Sequence, residues 1–90
     1  MVRVYMRIDI SKIEKTLIKL KGKDHIMFKR LQKKIVQIAE CDSFSINHFK
    51  NLRKPLNHLK RVHIGSFVLT FQIDKEIIIF EDFVHHDKAY

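Results

Sequence analysis

Apolar and polar residues alternate over residues 2 to 7, with Val2, Val4 and Met6 on one side and Arg3, Tyr5 and Arg7 on the other. A period of two is that of a half-buried strand. The period then lengthens. Ile13, Leu17 and Leu20, with Ile18 alongside, recur three to four residues apart and predict a helix running to about Lys21. Ser11 and Glu14 have the spacing of a capping box, and Gly22 stands where a helix-ending glycine belongs. Asp24 predicts the cap of a second helix, whose buried stripe is Phe28, Leu31, Ile35 and Ile38. Its other face carries a basic ridge of Lys29, Arg30, Lys33 and Lys34. Neither helix can bury its stripe alone, so the two are expected to pack as a hairpin.

After an irregular stretch over 42 to 57, where Pro55 interrupts regular structure, the period returns to two. Residues 59 to 64 place Arg61 and His63 on one face and Lys60, Val62 and Ile64 on the other. Gly65-Ser66 predicts a tight turn. Residues 67 to 73 then put Phe67, Leu69, Phe71 and Ile73 opposite Val68, Thr70 and Gln72. Asp74-Lys75 turns the chain again. The unbroken run Ile77-Ile78-Ile79-Phe80 predicts a last strand buried on both faces and continuing to His86. The fold class read from this order is α+β: β-α-α-β-β-β, an antiparallel sheet packed against an N-terminal helix hairpin.

Ninety residues allow one domain, spanning 1–90, and the 46% hydrophobic content is enough for a core. No apolar run reaches the length of a membrane span, and "MVRVYMRID" lacks the stretch of a signal peptide, so no membrane association is expected. The single Cys41 cannot staple the fold; it suits a reducing, cytoplasmic setting and reads as core rather than as a nucleophile. Charge changes the picture more. Lys and Arg number 18 against 10 Asp and Glu, a formal +8, which points to a polyanionic partner. Between Asp42 and Asp74 there is no acidic residue, and that stretch holds Lys50, Arg53, Lys54, Lys60 and Arg61 with His48, His58 and His63. A run so free of acids favours phosphate contacts, which release counterions.

Histidine changes charge nearest neutral pH and can accept one proton and return another. His63 with Arg61 on one strand, and one of His85 and His86 on another, could flank one phosphate. Successive strand residues point to opposite faces, so only one of that pair should face such a site, and His86 is the preferred one. For the same reason the two rings should diverge. No Cys or carboxylate stands at a familiar ligand spacing, so neither a metal nor any other cofactor is expected.

The helix hairpin, the segment "PLNHLKRVHIGSFVLTFQI" (55 to 73), the hydrophobic strand and the closing "HHDKAY" (85 to 90) together resemble the RelE/ParE toxin superfamily, most of all its archaeal RelE-type members. The resemblance covers nearly the whole chain, including "KDHIMFKRLQKKIVQI" (23 to 38). It implies the toxin of a type II toxin–antitoxin system: a ribosome-dependent, metal-independent endoribonuclease that cuts messenger RNA in the A site and so inhibits translation. The 2′-hydroxyl would attack the adjacent phosphate and leave a 2′,3′-cyclic end. The implied partners are a RelB-type antitoxin, the ribosome and messenger RNA. By position, the implied catalytic residues are Arg61, His63, His85, His86 and Tyr90, while Val68 and His86 stand where relatives often carry arginine. Lys33, Lys34, Arg53, Lys54 and Lys60 would hold RNA. The alternative is a non-enzymatic protein of the same fold, either a ParE-like gyrase poison or a degenerate toxin that only binds antitoxin or RNA.

Overall fold

A computed structural model of the chain describes residues 7–41 and 45–88. The strand expected at residues 2 to 7 therefore lies almost wholly outside the described residues, and the described first strand is β1 (Arg7–Asp9). The turn that follows is built differently from a capping box. The Asp9 carboxylate accepts both the Ser11 hydroxyl (2.7 Å) and the Ser11 N–H (2.9 Å), so the hydroxyl is already spent and Ser11–Ile13 forms a 3₁₀ turn. Those two hydrogen bonds, aided by the charge of Lys12, hold the Asp9 carboxyl below its ordinary pKa.

Helix α1 spans Glu14–Lys23 and α2 spans His25–Ala39. Gly22 lies inside α1, not beyond it; the break comes at Asp24, which leaves helical geometry at φ −142°. Its N–H still donates to Leu20 O (2.8 Å), while its carboxylate accepts the Met27 N–H (3.1 Å) and caps α2 as expected. One residue thus ends one helix and starts the next. The buried stripe of α2 is Met27, Leu31, Ile35 and Ile38, with Phe28 only half-buried beside it.

The sheet has the order β1-β5-β4-β3-β2, with β2 at Lys50–Asn51, β3 at Lys60–Ile64, β4 at Phe67–Asp74 and β5 at Ile77–His85. The α+β architecture is the one read from the sequence, with two differences. β1 joins β5 in parallel, Ile8 opposite Ile78, so the sheet is mixed. The short β2 edge, hidden in an irregular polar stretch, pairs Lys50 with Arg61 and Asn51 with Lys60. The first hairpin turns through Gly65 at φ +60° and the second through Lys75-Glu76, one residue later than expected, with Lys75 at φ +59°.

The helices cover one face only, where Ile13 and the α2 stripe meet Ile64, Leu69, Phe71, Ile78, Phe80 and Phe83. A smallest extent of 21 Å is what one sheet and one helix layer occupy. The strand expected to be buried on both sides therefore alternates: Ile78 and Phe80 are fully buried, Ile77 is 36% exposed and Ile79 is half-buried. A bulge interrupts β4 and β5, since Phe71 pairs with Phe80 and Thr70 with Asp82, leaving Glu81 as the extra residue. It reverses the alternation of β5, so that Phe80, Phe83 and His85 all lie toward the helices. Leu52, Leu59, Val68 and Thr70 are buried outside the main cluster. Between the helix pair and β1 an apolar groove of about 460 Å³ is lined by Ile8, Ile10, Leu17, Ile18, Phe28 and Val36.

Candidate functional site

The register of the sheet places the basic side chains of β3. Val62 and Ile64 pair with Leu69 and Phe67 on the helix side, so Arg61 and His63 belong to the other, open side. Arg61 shares a row with Lys50 on β2, Thr70 on β4 and Asp82 on β5. His63 shares one with Val68 and Val84. Arg61 also lines a cleft of about 480 Å³ with Asn51 of β2 and with Arg53, Lys54 and Pro55 in the segment that follows it. Backbone bonds shape that segment: Leu56 N–H donates to Arg53 O (2.9 Å), Leu59 N–H to Leu56 O (3.0 Å) and Leu52 N–H to Leu59 O (2.9 Å). Among the described residues none forms an ion pair with Arg53, Lys54 or Arg61. Three cations therefore converge on one cleft, none of them paired among the described residues.

The other sequence-predicted residues divide. Lys60 points to the opposite face from Arg61 and donates to Asn51 Oδ1 (2.9 Å), tying β2 to β3. Lys33 is exposed on α2, and Lys34, half-buried, donates to Gln37 Oε1 (2.9 Å); both belong to the helix layer, with the sheet between them and the Arg61 cleft. Tyr90 lies outside the described residues. His85 lies on the helix side, edge-on to Phe67 at a ring separation of 5.6 Å, because the bulge has shifted the alternation. His86 leaves the strand altogether. Its N–H donates to Ser66 O (2.9 Å) and the chain enters a 3₁₀ turn at His86–Lys88. Divergence of the two rings, expected of an extended strand, does not occur: their centroids are 4.5 Å apart. No described contact joins His63 to either of them. They end on β5, two strands from β3, and two inter-strand spacings amount to ~10 Å.

Three polar residues escaped the sequence reading. Asp82, in the Arg61 row, accepts the Phe83 N–H at Oδ1 (3.0 Å) and is the one carboxylate in that row. Ser66 presents its carbonyl to His86. Glu81, the bulge residue, is bridged by Lys12 (2.7 Å) and accepts from Gln72. Burial pushes the Glu81 carboxyl up, but the hydrogen bonds from Lys12 and Gln72, with the charges of Lys12 and His58, outweigh it and hold it below its ordinary pKa. The acid pair Glu81-Asp82 within an otherwise apolar strand is the one sequence signal that could have drawn attention to this spot.

Two archaeal proteins are similar to the chain over most of its length. One, from Methanocaldococcus jannaschii, carries the name "Putative toxin RelE4" and is 44% identical over 81 residues, covering 87% of this chain and 82% of the relative. The chain belongs to the RelE toxin family. The second relative, an uncharacterised protein of Methanosarcina mazei, is 41% identical over 83 residues, covering 81% of this chain and 96% of that one. No family model matches the sequence. Among solved structures, a chain of the toxin–antitoxin complex RelBE2 of Mycobacterium tuberculosis superposes with a TM-score of 0.59, covering 92% of this chain and all of that one. At 19% identity it shows a shared fold. The RelE fold thus accounts for the mixed sheet with its helix pair on one face.

Proposed function

We propose that this RelE-family chain is the toxin of a type II toxin–antitoxin pair and cleaves messenger RNA on the ribosome. The observation that carries the reading is the cleft in which Arg61, Arg53 and Lys54 meet without ion-pair partners among the described residues, with His63 two residues from Arg61 on the same open face. A phosphate backbone laid across that face would find three cations and a group able to move a proton near neutral pH.

In the proposed step a neutral His63 removes the 2′-hydroxyl proton, the O2′–P bond forms and the P–O5′ bond breaks. Arg61 opposes the charge that builds on the phosphorane oxygens. The leaving O5′ takes a proton from a second group, for which Tyr90 and His86 are the candidates; His85, on the helix side of the sheet, faces away from Arg61 and His63. The products are a 2′,3′-cyclic phosphate and a 5′-hydroxyl, the proton taken from the 2′-hydroxyl being balanced by the one given to O5′. A RelB-type antitoxin would oppose the basic surface with an acidic, amphipathic segment. The apolar groove with its exposed Ile18 (67%) and Val36 (52%) offers such a segment a place for its apolar side chains.

The second reading, a non-enzymatic RelE fold, is favoured by one observation: the row beside His63 holds Val68 and Val84 rather than a second cation. Primer extension on a translated message after induction separates the two. Codon-phased cuts are the expected result. Intact messages with arrested replication would indicate a gyrase poison, and intact messages with unaffected replication a protein that only binds.

A further inference from the structure

The chain just past β5 brings three metal-type donors together. His86 is turned back by its N–H bond to Ser66 O, which sets its ring beside that of His85. The next residue, Asp87, then reaches both: Oδ1 lies 3.0 Å from His86 Nε2 and Oδ2 lies 3.4 Å from His85 Nδ1. One donor atom from each residue falls within 4.8 Å of the other two.

The hydrogen bonds around these donors fix what they present to one another. A carbonyl can only accept, so His86 Nδ1, 3.1 Å from Ser66 O, carries the hydrogen. Its other nitrogen, Nε2, faces the Asp87 carboxylate at 3.0 Å, where either a proton or a metal ion can stand between them. His85 Nδ1 accepts the Asp87 N–H at 3.3 Å, a long bond that an ion on that nitrogen replaces. Two ring nitrogens and a carboxylate drawn together in this way are a donor set that one cation can share. The backbone carbonyl on the far nitrogen of His86 is the outer-shell partner that ligating histidines ordinarily have. Around a tetrahedral ion with bonds of ~2.0–2.2 Å, donors stand roughly 3.3–3.6 Å apart; the 3.4 Å separation falls in that range, and the 3.0 Å one opens by a few tenths of an ångström to admit the ion.

We propose that His85, His86 and Asp87 form a binding site for a divalent transition-metal ion of the zinc class. Two imidazoles and one carboxylate suit zinc far better than magnesium or calcium, which favour all-oxygen ligand sets. The side chains are 40%, 54% and 74% exposed, so the ion exchanges with solvent and one coordination position stays open. Occupancy fastens the residues after β5 to the β3–β4 turn. It also withdraws the His86 imidazole from RNA, a consequence that rests on the function proposed above.

The test uses the full chain without a histidine tag, titrated calorimetrically with zinc chloride near neutral pH. One zinc per chain is expected, no saturable binding of magnesium, and loss of zinc binding in His85→Ala and His86→Ala. Asp87→Asn alters only an exposed side chain, keeps the fold by circular dichroism, and should weaken binding by more than about tenfold, the scale on which even outer-shell losses act. His25→Ala, on α2, should bind as the parent does. Absence of saturable zinc binding overturns the site, as does unchanged affinity in both His86→Ala and Asp87→Asn. Zinc bound at one equivalent should also slow messenger cleavage, reversibly with a chelator. Stoichiometric binding without slowing upholds the metal site and removes the His86 imidazole from the RNA reading. Cleavage that needs His86 in a chain that binds no zinc does the reverse.

Discussion

Arg61 and His63 are the residues on which the proposed chemistry stands, and each can be removed without touching the core, since one is half-buried and the other exposed. Arg61→Ala should lower the single-turnover rate of cleavage on programmed ribosomes by roughly 10²–10³, the usual cost of losing one donor to a developing oxyanion. His63→Ala should lower it by roughly 10²–10⁴, the range for general acid–base groups. Both variants should melt at the parent temperature, and full activity in either would remove that residue from the site. Gly65 is different in kind. Its φ of +60° is disfavoured for other residues, and an added Cβ would stand 3.1 Å from Arg30 Nη1 and 3.3 Å from Met27 Cε. Gly65→Ala should therefore cost about 1–2 kcal/mol in urea unfolding. The Arg61–His63 pairing was legible in the sequence because a strand's period of two needs no tertiary knowledge. Asp82, Ser66 and the partners of Glu81 were not, because each acquires its neighbours only through cross-strand register.

At the scale of elements, the junction of α1 and α2 is the sharpest test. Asp24 caps α2 through its carboxylate, so Asp24→Ala should destabilise by roughly 1 kcal/mol. Gly22 sits within α1, and an added Cβ meets nothing within 4 Å, so Gly22→Ala should stabilise by roughly 0.5–1 kcal/mol. Were Gly22 a left-handed helix terminator, as its position in the sequence suggested, the sign would reverse. Thermal melts of the two variants therefore decide between the readings. Helix periodicity located both helices to within a few residues. It could not say that Asp9 would take the Ser11 hydroxyl, since that hydrogen bond depends on where β1 ends. Nor could it find β2, two residues whose only strand-like property is their pairing with β3.

For the whole molecule, Glu81 links the 3₁₀ turn before α1 to the open side of the sheet through Lys12 and Gln72. Its folded pKa is lower than its unfolded one, so the unfolded chain binds the proton more readily. The contribution is thus present above the ordinary carboxylate value of 4.5 and is lost as pH falls through the lower folded value. Chemical denaturation from neutral to acid pH should show the parent losing more stability over that window than Glu81→Gln. Equal slopes would mean that the Lys12–Glu81 link contributes nothing. The net charge of +8 has its own signature: binding to RNA should weaken steeply with added salt, and removing Arg53 or Lys54 should flatten that dependence.

Composition and periodicity alone determined the α+β class, the helix pair, the hairpin order of the last three strands, the basic character and the side of β3 that carries Arg61 and His63. These follow from local rules, in which a residue's neighbours in sequence fix its direction. Tertiary structure decided the rest. One extra residue at Glu81 reversed the alternation of β5, put His85 on the helix side and left His86 to turn onto Ser66. A bulge is specified by how two distant strands must pack their large side chains, here Phe71 against Phe80 and Leu69 against Phe83, and no count along a single strand contains that requirement.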